Sequence, residues 1–149
     1  MTPPKTKEDL PKVTQHKIQQ QQNKSVNWGT PTEILNRFEG YFDPCPYPRA
    51  NFDGLNIPWP KLVFVNPPFS GLAQWIEKCA GEHQQGATHI ALLMPARTDT
   101  KAFHAYILPN AEIEFIQRRV RFVDLDNSSS KPENAPFPCL IAHFGGRIA

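Results

Sequence analysis

With 149 residues, 40% of them apolar and 11% aromatic, the chain holds enough material for one domain with a real core and too little for two full domains. Sixteen basic residues against 14 acidic ones leave a net charge of +2, which permits contact with nucleic acid without arguing for it, so the distribution of charge matters more than its sum. Sixteen prolines, about twice ordinary usage, argue against a helical bundle, and three widely spaced cysteines (Cys45, Cys79 and Cys139) suggest neither a disulfide framework nor a zinc site.

Residues Met1 to Lys24 are polar, include the run Gln19 to Gln22, and offer almost no large apolar side chain to bury. This segment is expected to be disordered when free. It carries Lys5, Lys7, Lys12, Lys17 and Lys24 against Glu8 and Asp9, so it can lie along a phosphate backbone and add sequence-blind affinity. A solubilising tail is the alternative. No apolar run approaches the ~20 residues of a membrane span, and the N-terminus lacks the apolar segment of a signal peptide, so a soluble cytoplasmic protein with residues 25–149 as its domain is expected.

Order should begin near Trp28. Thr30 can cap a helix over about Pro31 to Phe38, with Pro31 at its first position and Glu33 completing a capping box; Ile34, Leu35 and Phe38 supply the apolar face. Tyr41-Phe42-Asp43-Pro44-Cys45-Pro46 then reads as an aromatic strand ending in a carboxylate and a tight turn. Nucleotide-type ligands meet open α/β sheets at such carboxyl ends, which makes Asp43 a candidate ligand contact, although Asp43-Pro44 also reads as a simple Asx-type turn. Asp53-Gly54 is a turn signal by itself. Trp59, close behind it, is expected in the core.

Lys61-Leu62-Val63-Phe64-Val65 is a short apolar strand stopped by Asn66-Pro67-Pro68-Phe69. Each proline fixes its own φ, biases the residue before it toward extended geometry, and lacks an N–H, so the carbonyls of Asn66 and Pro67 sit in a rigid turn with few ladder partners. An amide oxygen beside a fixed carbonyl matches the two hydrogens of an exocyclic amino group. Phe69 can stack on the ring that bears it. A proline-terminated core strand is the plainer reading of the same four residues.

Ser70 is expected to cap a helix running to about Ala80 with Leu72, Trp75, Ile76 and Cys79 on its buried face. Thr88 to Pro95 is a nearly unbroken apolar run, as in a strand covered on both faces, and His89 at its start reads as structural or surface rather than catalytic. Arg97 and Thr98 leave that strand on the edge where Asn66 emerges, ahead of a helix over roughly Lys101 to Leu108. Ala111 to Ile116 is a further strand. Alternation puts Arg119 and Arg121 on one face, suited to phosphate contact or merely to solvent. Asp124 to Pro136 should be a long loop able to cover a substrate, and Phe137 to Phe144 a closing antiparallel strand. The sum is an α/β fold with an open, mostly parallel sheet and an antiparallel end.

Trp28-Gly29-Thr30-Pro31, Asp43-Pro44-Cys45, Asp53-Gly54-Leu55, Asn66-Pro67-Pro68-Phe69 with the Trp75 helix behind it, and Pro95-Ala96-Arg97-Thr98 follow one another in the order of the phage-type DNA N6-adenine methyltransferases, which the chain resembles from about Asn27 to Phe144. The resemblance implies a compact, Rossmann-like class I methyltransferase using S-adenosylmethionine to methylate the N6 amino group of adenine in double-stranded DNA, the base being flipped out. It implies catalytic roles for Asn66, Pro67, Pro68 and Phe69. Cofactor contacts fall on Trp28, Thr30, Pro31, Asp43, Pro44, Cys45, Asp53, Gly54, Leu55 and Asn66; Asp-Pro-Cys stands where most of the superfamily has a glycine-rich loop. DNA contacts fall on Ser70, Arg97, Thr98, Arg119 and Arg121, with Lys24 of the tail, and no metal is implied. An RNA base amine, a protein glutamine amide, or a methyltransferase-like module without turnover are the alternatives. So short a chain leaves little room for a target-recognition domain, so either specificity is low or a second subunit, as in a homodimer, shares the grip on DNA.

Overall fold

A computed structural model describes residues 28–126 and 131–147 of the chain. The polar N-terminal segment, Lys24 included, lies outside the described residues. Two sheets form: a main one of β2 (Leu62–Val65), β3 (His89–Pro95), β4 (Ala111–Phe115) and β7 (Cys139–Phe144), and a small one of β1 (Trp28–Gly29), β5 (Arg121–Asp124) and β6 (Glu133–Asn134). Their orders are β2-β3-β7-β4 and β1-β5-β6.

The chain is thus α/β, but the open, mostly parallel sheet expected from the sequence is not what forms. Among the named strands β2 and β3 alone pair in parallel; β7 runs antiparallel to both β3 and β4, and the small sheet is antiparallel throughout. The expected strand at Tyr41-Phe42 shrinks to a single parallel bridge from Phe42 to Val63. Pro44, Pro46 and Pro48 follow at once and have no N–H to donate, so the ladder cannot lengthen. The stretch 124–136, expected as one loop, contains β6, which pairs with β5 through Arg121–Asn134 and Phe122–Glu133.

The helices also differ from expectation at their ends. α1 covers only Thr32–Leu35 and tightens into a 3₁₀ turn over Asn36–Phe38; Pro31 is its N-cap and no side chain caps it, so the Thr30 capping box is absent. Ile34 and Phe38 are buried as expected, while Leu35 is exposed. α2 spans Leu72–Gln84 and is preceded by a 3₁₀ turn over Phe69–Gly71, closed by the Gly71 N–H donating to the Pro68 carbonyl at 3.3 Å. Gly71 rather than Ser70 is therefore its N-cap. Between β3 and β4 the chain winds as a π-helix over Phe103–Ile107, the Leu108 N–H reaching the Phe103 carbonyl at 3.0 Å.

β3 is buried along its whole length because both faces of the main sheet are covered. On one face Val63, Val65, Ile90, Leu92 and Phe144 meet Trp75, Ile76 and Cys79 of α2 and Ile107 of the π-helix. On the other, Phe64, Ala91, Leu93 and Ile141 meet Ile34, Phe38, Val120 and Phe122. Trp59 is a core residue, stacked on Trp75 with ring centroids 6.4 Å apart and donating its indole N–H to the Gly54 carbonyl at 2.8 Å.

At the amino end of β3 the buried His89 lies parallel to the buried His143, ring centroids 5.1 Å apart. Their hydrogen bonds form a chain whose direction follows from its last member. Ionised Glu114 only accepts, so His143 donates from Nε2 at 2.9 Å and accepts at Nδ1 from His89 Nε2 at 2.9 Å, which leaves His89 Nδ1 to accept from the Tyr41 hydroxyl at 2.7 Å. Arg37 grips both oxygens of Glu114, at 2.7 and 3.0 Å, and Arg147 adds an ion pair at 3.3 Å. His89 is accordingly structural.

Candidate active site

The register of the main sheet brings the sequence-selected segments to one edge. β2 and β3 are parallel with Val65 opposite Leu92, and the Phe42 bridge to Val63 is also parallel, so Asp43 to Cys45, Asn66 to Phe69, and Arg97 with Thr98 all leave the sheet at its carboxyl edge. β4 runs the same way as β3, antiparallel to β7, and delivers Arg118 and Arg119 there too. The His89 chain sits at the opposite edge.

Asn66 is half-buried where β2 stops. Its Nδ2 donates to the Thr30 hydroxyl at 3.0 Å. Pro67 is buried, and among the described residues no donor reaches its carbonyl. Pro68 is extended (φ −60°, ψ 133°), which swings the chain outward before the turn into α2 and leaves Phe69 beside the small sheet. The Phe69 ring is half-buried, edge-on to Phe122 of β5 at 6.1 Å and to Phe137 at 5.4 Å. The Arg97 guanidinium lies 5.7 Å over the Phe137 ring, which continues the row from aromatic to cationic.

Phe122 and Phe137, the supports of Phe69, were not selected from the sequence. An aromatic between two arginines on a half-buried strand, and another just ahead of the closing strand, were the available signals.

The other selected residues form a second group. Asp43 Oδ1 accepts from the Cys45 N–H at 2.8 Å, the Asx turn that its sequence allowed. Desolvation raises its carboxyl above the ordinary value, with that N–H opposing the shift. Asp53 accepts from the Leu55 N–H at 3.0 Å and from Asn56 Nδ2 at 2.8 Å, so each of its oxygens already has a partner and keeps a lone pair free. Gly54 joins the two turns: a Cβ built there would come 1.9 Å from the Pro44 carbonyl oxygen and 3.0 Å from Trp75 Cη2. Gly54→Ala is expected to cost about 1–3 kcal/mol, since backbone rather than a flexible side chain stands in the way. Urea unfolding of the variant measures it, and an unchanged midpoint would mean the two turns part freely.

An open cleft of about 600 Å³ lies between the Asp53 to Asn56 turn and the outer surface of α2, lined by Gln74, Lys78, Gly81 and Glu82 as well as Asp53 and Leu55. Of the residues selected as cofactor contacts, Asp53 and Leu55 line this cleft, whereas Asn66 does not. Trp28 and Pro31 flank Thr30, Trp28 packing against the core face that holds Phe38 and Phe122. Of the basic residues, Arg119 and Arg121 are exposed while Val120 and Phe122 between and after them are buried, the alternation expected of a strand. Arg97, Thr98 and Ser70 are exposed on the same edge. Among the described residues no group of three or more His, Cys, Asp or Glu could hold a metal ion, and no helix is long and apolar enough to cross a membrane.

Compared with known proteins, the chain matches no curated protein and no solved structure. A family model does match, over residues 16–144, a span that takes in every element described above and both groups of residues at the carboxyl edge. The chain belongs to the DNA N-6-adenine-methyltransferase (Dam) family.

Proposed function

We propose that the chain transfers a methyl group from S-adenosylmethionine to the N6 amino group of an adenine that has been flipped out of duplex DNA. The observation that carries this reading is the rigid turn itself: an Asn66 amide whose NH₂ is taken by Thr30 and an unclaimed Pro67 carbonyl are followed two residues on by a half-buried Phe69 ring backed by two further rings. Two acceptors side by side take the two hydrogens of an exocyclic amine, and the ring gives the base a stacking partner. Holding the amine in this way localises the lone pair on its nitrogen and fixes the direction in which it points. Positioning and electrostatics therefore supply most of the catalysis, without a covalent intermediate.

The turns carrying Asp43 and Asp53 meet where Gly54 closes on the Pro44 carbonyl, and they are proposed to face the cofactor. Asp43 and Asp53 offer carboxylate lone pairs to amino and hydroxyl hydrogens, and half-buried Leu55 offers an apolar wall. When bound, S-adenosylmethionine supplies an electrophilic methyl group. Asp43, Asp53, Gly54, Leu55 and the Trp28 to Pro31 stretch are the residues proposed to hold it. Ser70, Arg97, Thr98, Arg119 and Arg121 contact the DNA backbone; Lys24 is proposed to join them, and residues 25–149 to form the catalytic domain. A recessed turn cannot reach a stacked base, which is why the adenine leaves the duplex at a cost of a few kcal/mol.

The test is transfer of labelled methyl from S-adenosylmethionine to duplex DNA, followed by digestion and mass identification of the modified nucleoside. N6-methyladenine is expected. Label in RNA or in protein glutamine instead would move the acceptor, and cofactor binding without transfer to any of the three would leave an inert module. Phe69→Ala is expected to raise KM for DNA by about 10- to 100-fold, the worth of one base–aromatic stack. Fluorescence anisotropy with DNA carrying an abasic site opposite the target measures the same loss without turnover.

A further inference from the structure

A terminal amide presents an oxygen or an NH₂ group with almost the same shape, and the χ2 torsion that interchanges them is soft. Asn66 can receive an amino group only with its oxygen outward; with NH₂ outward it would set donor against donor. In this fold the NH₂ group is taken by a hydroxyl, which leaves the oxygen free for the substrate. Thr30, 36 residues earlier, places its hydroxyl 3.0 Å from Asn66 Nδ2 and occupies the donor side of the amide. The same hydroxyl does not cap α1, whose N-cap is Pro31 with no side-chain capping bond.

Thr30 is itself held from two sides. Trp28 and Gly29 pair with Asp124 and Val123 of β5, and a Cβ at Gly29 would come 2.6 Å from Leu125 Cδ2, so β1 lies close against the end of that strand. On the other side Pro31 is buried, with φ at −64°. β5 also carries Phe122, which packs on Phe69. One strand of the small sheet thus holds the partner of the amide and the support of the ring.

We propose that Thr30 is a positioning residue for the methyl-acceptor site, holding the Asn66 amide with Oδ1 toward the substrate amine, in place of the capping role its sequence suggested and beside any contact with the cofactor. This rests on the reading of Asn66 as the amine acceptor. Thr30→Val keeps the shape and removes the hydroxyl; Thr30→Ser keeps the hydroxyl and removes the methyl.

Methyl transfer to DNA, cofactor affinity by calorimetry, and the ¹⁵N resonance of the Asn66 side-chain amide would be measured for the full chain and both variants. Thr30→Val is expected to lower kcat about tenfold, the equivalent of one lost hydrogen bond. KM for DNA should stay within about twofold, while the hydrogen-bond shift of the Asn66 amide disappears. The drop in cofactor affinity from losing the Thr30 hydroxyl should be smaller than the drop in kcat measured at saturating cofactor. Thr30→Ser is expected to restore both kcat and the amide signature. Unchanged kcat in Thr30→Val, failure of Thr30→Ser to restore it, or a loss explained wholly by weaker cofactor binding would each overturn the positioning role. A wild-type chain that methylates no adenine would overturn the underlying reading as well, so the two failures are told apart.

Discussion

Asn66→Ala is expected to lower kcat for adenine methylation by about 100- to 1,000-fold, the usual consequence of deleting one group that stabilises a developing charge from a fixed position. Two features put the figure at the larger end. The Asn66 amide is half-buried and held by Thr30, so water cannot step into its place at the same distance without also re-forming that bond. The Pro67 carbonyl that remains can take one amine hydrogen but cannot by itself fix where the nitrogen lone pair points. Because alanine removes only the side chain, β2 and the two prolines keep their course, and both cofactor affinity and KM for DNA should change by less than about threefold. Single-turnover transfer of labelled methyl, with Kd for DNA measured alongside, separates these quantities. A variant that kept its rate while losing DNA affinity would make Asn66 a binding residue and return the catalytic role to the backbone.

How much of this site could be read from the sequence depends on the distance over which each contact acts. The strand stopped by Pro67 and Pro68, the buried face of α2 and the doubly covered β3 are local patterns, and they appear where periodicity and proline chemistry placed them. The bond from Asn66 to Thr30 is not local, and Thr30 looked like a helix cap because Pro31 and Glu33 follow it. The rings that hold Phe69 come from β5 and from the approach to β7, one on each side of the stretch expected to be a single loop. Sheet order was the main failure. A chain alternating strands and helices reads as a parallel sheet, yet β7 inserts between β3 and β4 and reverses two of the three pairings. Nothing in the composition of Cys139 to Phe144 distinguishes a central antiparallel strand from an edge one, since full burial gives both a continuous apolar run. His89 and His143, 54 residues apart, show the same limit: each is an unremarkable histidine until the fold stacks them.

That stacked pair carries the second large effect. Glu114→Gln is expected to destabilise the fold by about 2–3 kcal/mol at pH 7, the range for losing hydrogen bonds to a charged acceptor. A glutamine oxygen can still accept from His143, but its NH₂ would then face the Arg37 guanidinium, which now donates to both carboxylate oxygens. Arg37 is 40% exposed, so solvent takes back part of its share and the estimate stays below that for a fully buried pair. The pH dependence isolates the carboxylate. Burial alone would raise the Glu114 carboxyl, but hydrogen bonds from Arg37 and His143 and the charges of Arg37 and Arg147 outweigh it and hold the group at about 2, below its ordinary 4.5. A depressed carboxylate stabilises the fold fully above its unfolded value, and that contribution is lost as pH falls from 4.5 toward 2. His89, pushed down to about 4 by burial and by the neighbouring His143, refuses a proton that the unfolded chain accepts below 6.5, so its contribution is lost between pH 6.5 and 4. Both proteins keep His89 and should weaken together over that upper window. The stability gap between wild type and Glu114→Gln, from urea unfolding at a series of pH values, should be flat above about pH 5.5 and close as the carboxylate of the wild type is protonated. A gap that stays constant down to pH 3 would show that packing at the amino end of β3, and not the charge on Glu114, holds the histidine pair in place.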